Sequence, residues 1–330
     1  MRVRLRIRAG VASACALSLG GCTGVQSVLD PAGADAEVLA TLFWVLLSGA
    51  VVLWLLLNGA FFYVTRMRVR PHSRKIGEAV IIGAGIAFPT VLLAILLSYG
   101  LSIMPDQRAP GDGLTVRVTG EQWWWRVEYL PQDGGGPVVS ANELRLPVGA
   151  RTEIKLTAAK VIHSFWVPNL GGKMDMFPGR ETRMALEPTR TGIFRGQCAE
   201  FCGTSHALMA FPVVVLPPEE FEAWLAKERE DAAAPADTAA ERGREVFLAE
   251  GCGACHAVRG TPAKGAVGPD LTHVGGRRTI GAGTLPATAE GFGQWLARTD
   301  HIKPDVRMPT YRALPEQDLI DLATYLKGLR

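Results

Sequence analysis

The chain has little surplus of charge of either sign. Its 330 residues carry 35 lysines and arginines against 32 aspartates and glutamates, a net +3. The positive residues gather only near the N-terminus and in one short loop. Nucleic-acid binding needs a basic face or stripe, so that class of partner is excluded. Internal repeats are absent. Cysteine is scarce, six in all, at positions 15, 22, 198, 202, 252 and 255. At this length there is room for two or three domains. What the sequence does hold is long apolar runs, short alternating segments and closely spaced cysteines.

"MRVRLRIR" is a basic n-region and "VASACALSL" a short apolar stretch of signal-peptide length. "LGGC" then ends the segment at Cys22 and resembles a bacterial lipoprotein box, in which that cysteine is lipidated and becomes the mature N-terminus. Residues 1–22 are therefore expected to be a signal peptide that directs the mature N-terminus to the outside. Two apolar runs come next, giving expected transmembrane helices over 38–65 and 79–103. Each exceeds the roughly 20 residues a bilayer crossing needs. Between them "TRMRVRPHSRK" is rich in arginine and lysine, which places that turn in the cytoplasm. The two spans form a helical hairpin, with everything after about Ser102 outside.

Residues 113–217 change character. "LTVRVTG", "WRVEYL", "ELRLPVG" and "TEIKLTA" alternate apolar and polar residues with period two, broken by Gly and Pro turns. Such a series predicts an all-β sandwich or barrel. From Pro217 the composition turns charged and alanine-rich, which predicts a short helix and a flexible linker over 218–240. Residues 241–330 read as a helical, glycine-punctuated domain.

In that last domain "GCGACHAV" holds C-x-x-C-H at Cys252, Cys255 and His256, the spacing of c-type haem attachment. Two thiols on one helical turn can each add to a haem vinyl group, and the next histidine then faces the iron. A thioredoxin-like redox pair has no need of that histidine, and a zinc half-site would want a second cysteine pair downstream. One methionine comes after the motif, Met308, with His273 and His301 as competitors for the second axial position. Thioether ligation raises the haem potential, which suits electron transfer. "RMPTY" and "GPDLTHVGGR" resemble the corresponding segments of class I cytochromes c, in which Pro269 would pack near the proximal histidine. Leu319, Leu322, Ala323, Leu326 and Leu329 fall on one face of a final amphipathic helix.

Cys198 and Cys202 remain, within "GQCAEFCGTSHALM". A structural disulfide is open to an exported pair, whereas structural zinc sites usually take cysteine pairs in doubles. Two thiols, His206 and Met209 on one loop make a soft donor set that selects copper. The β domain offers one further histidine, His163. Two cysteines, two histidines and a methionine exceed the needs of one copper ion and suit two, bridged by both sulfurs.

"VIHSFWVPNLGGKMDMFPGR", "GQCAEFCGTSHALM", the aromatic run "GEQWWWRVEYL" and the preceding hairpin are together similar to subunit II of haem–copper cytochrome c oxidases. The fused cytochrome c resembles the caa-type arrangement. The resemblance implies a multidomain chain: a two-helix transmembrane hairpin, an all-β cupredoxin-like domain, then a small all-α cytochrome c domain. It implies a binuclear CuA centre bridged by Cys198 and Cys202, with His163 and His206 capping the coppers. Met209 and the backbone carbonyl of Glu200 would be weak axial ligands, and the Glu200 carboxylate would share a magnesium ion with subunit I. Trp123 is where electrons would enter the copper site; the other tryptophans of the run would pack.

The implied partners are subunits I and III and a cytochrome c or upstream complex as donor. The implied place is the bacterial cytoplasmic membrane, with both exported domains on the outer side. Glu78 is not at the family's usual distance from Pro89, and Glu121 stands where many members have histidine. A CuA-containing nitric oxide reductase subunit is the alternative in the same class. A quinol-oxidase subunit would not need the soft ligands, and a copper-handling or thiol-redox protein would need neither the full set nor a fused haem.

Overall fold

The computed structural model describes residues 21, 23–67, 73–131 and 134–330. Cys15, Cys22 and all of the expected signal segment except Gly21 lie outside the described residues, as does 68–72 of the arginine-rich turn. The chain divides into two compact units, Val38–Ala109 and the rest.

Among the described residues, two helices are long and apolar enough to cross a membrane, α1 (Ala34–Met67) and α2 (Arg74–Gln107), each of 34 residues. Both run past the spans expected from hydropathy. Polar residues at their ends continue the helical turns: Asp35 and Glu37 open α1, where acidic side chains suit the positive end of the helix dipole. The Ser73 hydroxyl caps α2 by accepting from the Ile76 N–H at 3.4 Å. Glu78 sits one turn in, paired with Arg74 at 2.7 Å. Large apolar side chains such as Trp54, Leu57, Phe61, Ile82 and Leu97 are exposed along both helices, a surface that hydrocarbon would cover.

The β domain is a sandwich of two five-stranded sheets. In β1 (Thr115–Glu121) and β2 (Trp124–Leu130) every second side chain is buried, so Val116, Val118, Trp125, Val127 and Tyr129 point inward. The further strands are β3 (Val138–Ala141), β4 (Leu144–Pro147), β5 (Thr152–Ala158), β6 (His163–Trp166), β7 (Lys173–Met176), β8 (Thr182–Leu186), β9 (Gly192–Cys198) and β10 (Ala210–Leu216). One sheet has the order β3-β2-β1-β5-β8 and the other β4-β10-β9-β6-β7. The β1–β5 and β4–β10 pairs are parallel and the rest antiparallel. Trp125, fully buried, meets Phe211 at 5.0 Å and Phe165 edge-on at 6.1 Å between ring centres.

Of the short helix and flexible linker expected over 218–240, the helix is present, and the irregular connection that follows it at 230–237 is held in place. Helix α3 (Pro218–Arg229) buries Phe221 and Leu225 in the β-domain core, and α4 (Thr238–Ala249) begins with Asp237 as its cap. The connecting residues are pinned from the other side. The Ala232 N–H donates to the Arg259 carbonyl at 3.1 Å, the Arg259 guanidinium to the carbonyls of Glu228 and Glu230, and the His273 ring Nε2 to the Glu230 carbonyl at 3.0 Å. Alanine-rich sequence reads as flexible on composition, but here the ordering comes from partners distant in sequence.

The C-terminal domain packs α4 and α5 (Ala289–Ile302) on α6 (Glu316–Gly328), with a short β11–β12 pair at Thr279–Ile280 and Leu285–Pro286. Leu322, Ala323, Leu326 and Leu329 are buried and Leu319 is half-buried against the same core. The β domain and the C-terminal domain are docked. Arg126 donates to the Ala266 carbonyl at 2.9 Å, the Arg278 N–H to the Glu143 carboxylate at 2.7 Å, and Ser205 Oγ to the Pro304 carbonyl at 2.6 Å.

Candidate metal centres

One end of the second sheet gathers the soft donors. His163 opens β6 and Cys198 ends β9, whose register pairs Cys198 with Phe165. The chain then loops out through 199–208 and returns at Met209, just before β10. Two backbone bonds close that loop: the Cys198 N–H to the Met209 carbonyl (2.9 Å) and the Ala199 N–H to the Ser164 carbonyl (3.0 Å). Gly203, at φ +119°, lets the loop pass under Trp123, where a Cβ would come within 2.8 Å of the indole.

The six expected ligands converge. Cys198 Sγ lies 3.6 Å from His163 Nδ1, 3.2 Å from the Glu200 carbonyl and 3.8 Å from Cys202 Sγ. Cys202 Sγ lies 3.5 Å from His206 Nδ1 and 3.9 Å from Met209 Sδ. Both cysteines are free thiols, their sulfurs far beyond the ~2.05 Å of a disulfide. His163, both cysteines and Met209 are buried. His163 Nε2 is buried too, with no hydrogen-bond partner among the described residues, so this imidazole is committed to the sulfurs rather than to a polar network. The Cys198 thiol is held well below the usual range because Cys202 hydrogen-bonds to its sulfur, with His163 and nearby backbone adding to that against the cost of burial. The same bond to Cys198, and then burial, hold the proton on Cys202. A dry cluster of thiols, imidazoles and a thioether, with one thiol already poised to ionise, fits copper and offers nothing to a hard cation.

In the C-terminal domain, Cys252, Cys255, His256 and Met308 all line one largely apolar cavity. His256 donates from Nδ1 to the Pro269 carbonyl at 2.7 Å. That bond fixes the tautomer and leaves Nε2 with its lone pair free. Burial lowers the pKa of the ring, which keeps it a neutral ligand. Gly268 leaves the ring its space, since a Cβ there would sit 2.5 Å from Cε1. Trp295 Nε1 donates to Met308 Sδ at 3.2 Å. His273 and His301 do not line the cavity. Two thiols at the rim, an oriented imidazole and a thioether fit a covalently held haem.

The three tryptophans have three fates. Trp125 is core. Trp124 is half-buried under the Arg126 guanidinium, which lies 4.7 Å from its ring centre and also pairs with Glu121 at 3.2 Å. Trp123 is buried, lines the haem-side cavity and donates from Nε1 to the Cys202 carbonyl at 3.0 Å. Gln122 donates to the same carbonyl at 3.0 Å. Sequence reading missed Gln122, and also Gly120, where a Cβ would strike the His163 ring at 2.7 Å. It missed Lys303 as well: this lysine is buried at the domain junction, and burial pushes its ammonium down to about 7, partly offset by Cys202. Nothing in the sequence separates Lys303 from solvent-facing lysines.

Residues 137–216 match the family described as cytochrome c oxidase subunit II, periplasmic domain, and residues 240–330 match cytochrome c. Cytochrome c oxidase subunit 2 of Alkalihalophilus pseudofirmus is 32% identical over 329 residues, covering 95% of this chain and 94% of that protein. The chain belongs to the cytochrome c oxidase subunit 2 family. The Bacillus subtilis subunit 2 is 31% identical over 353 residues, with 95% of each chain covered. The chain is also similar to the periplasmic domain of subunit II of cytochrome oxidase from Bradyrhizobium japonicum, at 34% identity and a TM-score of 0.34, covering 37% of this chain and 96% of that one. Membership implies copper at the β-domain cluster and haem in the C-terminal cavity.

For this subunit, Gly120→Ala is expected to displace the His163 ring, because overpacked side chains shift rather than compress. Copper affinity should fall on the order of tenfold, the lower range for disturbing a ligand's support. Competition with a copper chelator measures it, and wild-type affinity would show that strand β1 yields instead.

Proposed function

We propose that this oxidase subunit takes in electrons at a haem attached to Cys252 and Cys255 and ligated by His256 and Met308. They pass through a binuclear copper centre to subunit I, where oxygen is reduced to water. The copper ligands in this reading are Cys198, Cys202, His163, His206, Met209 and the Glu200 carbonyl. One observation carries it: Trp123 walls the haem-side cavity and is hydrogen-bonded to the backbone of Cys202. When bound, the two groups supply one-electron carriers at either end of that contact.

The protein's own part is to keep the path short, dry and rigid. Burial of His163, both cysteines and Met209 excludes water from the copper ligands. Low-dielectric, preorganised surroundings reorganise little when charge changes. The Pro269 carbonyl orients the His256 ring. Glu200 and Phe201 are exposed at the outer face of the loop, Phe201 by 74%. That face is the one we assign to subunit I, with the Glu200 carboxylate available to a shared magnesium ion. The two apolar helices anchor the chain in the bacterial cytoplasmic membrane beside subunits I and III, with the donor, a cytochrome c or an upstream complex, on the periplasmic side.

Trp123→Phe keeps an aromatic side chain but removes the pyrrole half of the indole with its N–H. Loss of that bond, worth about 1 kcal/mol, should slow copper reduction by the haem on the order of tenfold in flash kinetics, with copper and haem contents unchanged. An unaltered rate would place the path elsewhere.

A further inference from the structure

The loop that carries His206 and Met209 is gripped from outside by the haem domain. Leu208 lies between those two residues, and its carbonyl accepts from Lys303 Nζ at 2.8 Å. The same ammonium donates to the Gly281 carbonyl at 2.8 Å, and Lys303 is 1% exposed. Next to it the Ala210 N–H donates to the Ala282 carbonyl at 3.1 Å. Gly281, Ala282 and Gly283 all adopt positive φ (61°, 61° and 81°), a conformation that L-residues such as Ala282 avoid. The strained turn aims the carbonyls of 281 and 282 at Lys303 and at β10. Two further bonds, Ser205 to the Pro304 carbonyl and Thr204 to the Asp305 carboxylate, hold the start of the loop.

We propose that Lys303 is a positioning residue: it locks the haem domain onto the backbone between His206 and Met209, so that the copper loop takes its working shape only with the haem domain docked. An apolar side chain would fill this space at lower desolvation cost. A buried amino group donating to two carbonyls fixes register instead. The assignment rests on the copper reading of the loop only for its effect on the metal. The clamp itself is a property of the polypeptide.

The test uses the full chain. In the copper-free protein, Lys303→Met should raise amide hydrogen exchange at Met209 and Ala210 on the order of tenfold or more, the factor set by losing a hydrogen bond from a charged group. Asp305→Ala, which cuts the same interface without touching Leu208, should leave exchange there close to wild type. With copper loaded, Lys303→Met should also shift the copper reduction potential and hyperfine pattern, which a purely structural tie elsewhere would not move. If Lys303→Met loses its haem-domain fold, Lys303→Gln carries both readouts. Unchanged exchange and unchanged potential in the folded variant would overturn the proposal. A wild-type chain that takes up no copper would sink the copper reading, while the exchange result would still judge the clamp.

Discussion

Cys198→Ser should leave the β sandwich folded and remove the binuclear character of the copper site. Cys198 Sγ is the hub of the cluster, within 3.2–3.8 Å of the Glu200 carbonyl, His163 Nδ1 and Cys202 Sγ. Serine replaces a polarizable thiolate by a hard oxygen on a shorter bond, and its hydroxyl does not ionise near neutral pH, so it cannot bridge soft metal ions. Removing the support of a ligand already costs 10–100-fold in affinity, so losing Cys198, the bridge in the proposed centre, should cost on the order of 100-fold or more. Folding should suffer far less. The substitution shrinks a buried side chain and leaves a hydroxyl to satisfy, about 1–3 kcal/mol. Metal analysis and electron paramagnetic resonance read the first effect, and circular dichroism the second. Wild-type copper content with hyperfine structure shared over two nuclei would mean that Cys198 is not a bridge.

The chemistry of both centres is legible in the sequence because it is carried by residue types whose spacing is itself the signal. C-x-x-C-H at Cys252–His256 and the soft set from Cys198 to Met209 each lie on one short segment. His163 is legible by elimination, as the other histidine of the β domain. The membrane helices are legible because a run of about twenty apolar residues has few other uses. What the sequence hides is set by tertiary contact. Gly120 reads as an ordinary strand-end glycine until the His163 ring is seen against it. The 230–237 stretch reads as linker until Arg259 is seen to donate to the Glu230 carbonyl and accept from the Ala232 N–H. Strands β6 and β7 are only four residues each, too short for period two to stand out. In the run Trp123–Trp125, alternation accounts for Trp125 facing the core and Trp124 the rim. The place of Trp123 over Cys202 depends on a loop some eighty residues away.

Gly243→Ala should unfold the haem domain at markedly lower temperature. Helices α4 and α6 cross at Gly243, and no side chain fits there. A Cβ would lie 2.0 Å from the Asp321 carbonyl oxygen, 2.5 Å from its carbon and 2.8 Å from Tyr325 Cβ. Two of those atoms are backbone, so no rotamer change relieves the clash and the helices must separate. Separation loosens what the close crossing brings together, the Arg242–Asp321 pair at 2.6 Å and the edge-on contact of Phe247 with Tyr325. Alanine's better helix propensity returns about 1 kcal/mol, whereas overpacking against backbone costs about 3 kcal/mol or more. The balance, roughly 2 kcal/mol or more of destabilisation, corresponds to a fall in Tm on the order of 10 °C for a domain of this size. Phe247, Leu322 and Leu326 line the haem-side cavity, so the same loosening should weaken haem retention, while the copper cluster in the β domain keeps its thiols and histidines. Thermal unfolding followed at the haem absorbance band, alongside copper content, separates the two domains. A Tm within a degree or two of wild type would show that the α4–α6 crossing can open without cost, and that the haem pocket takes its rigidity from elsewhere.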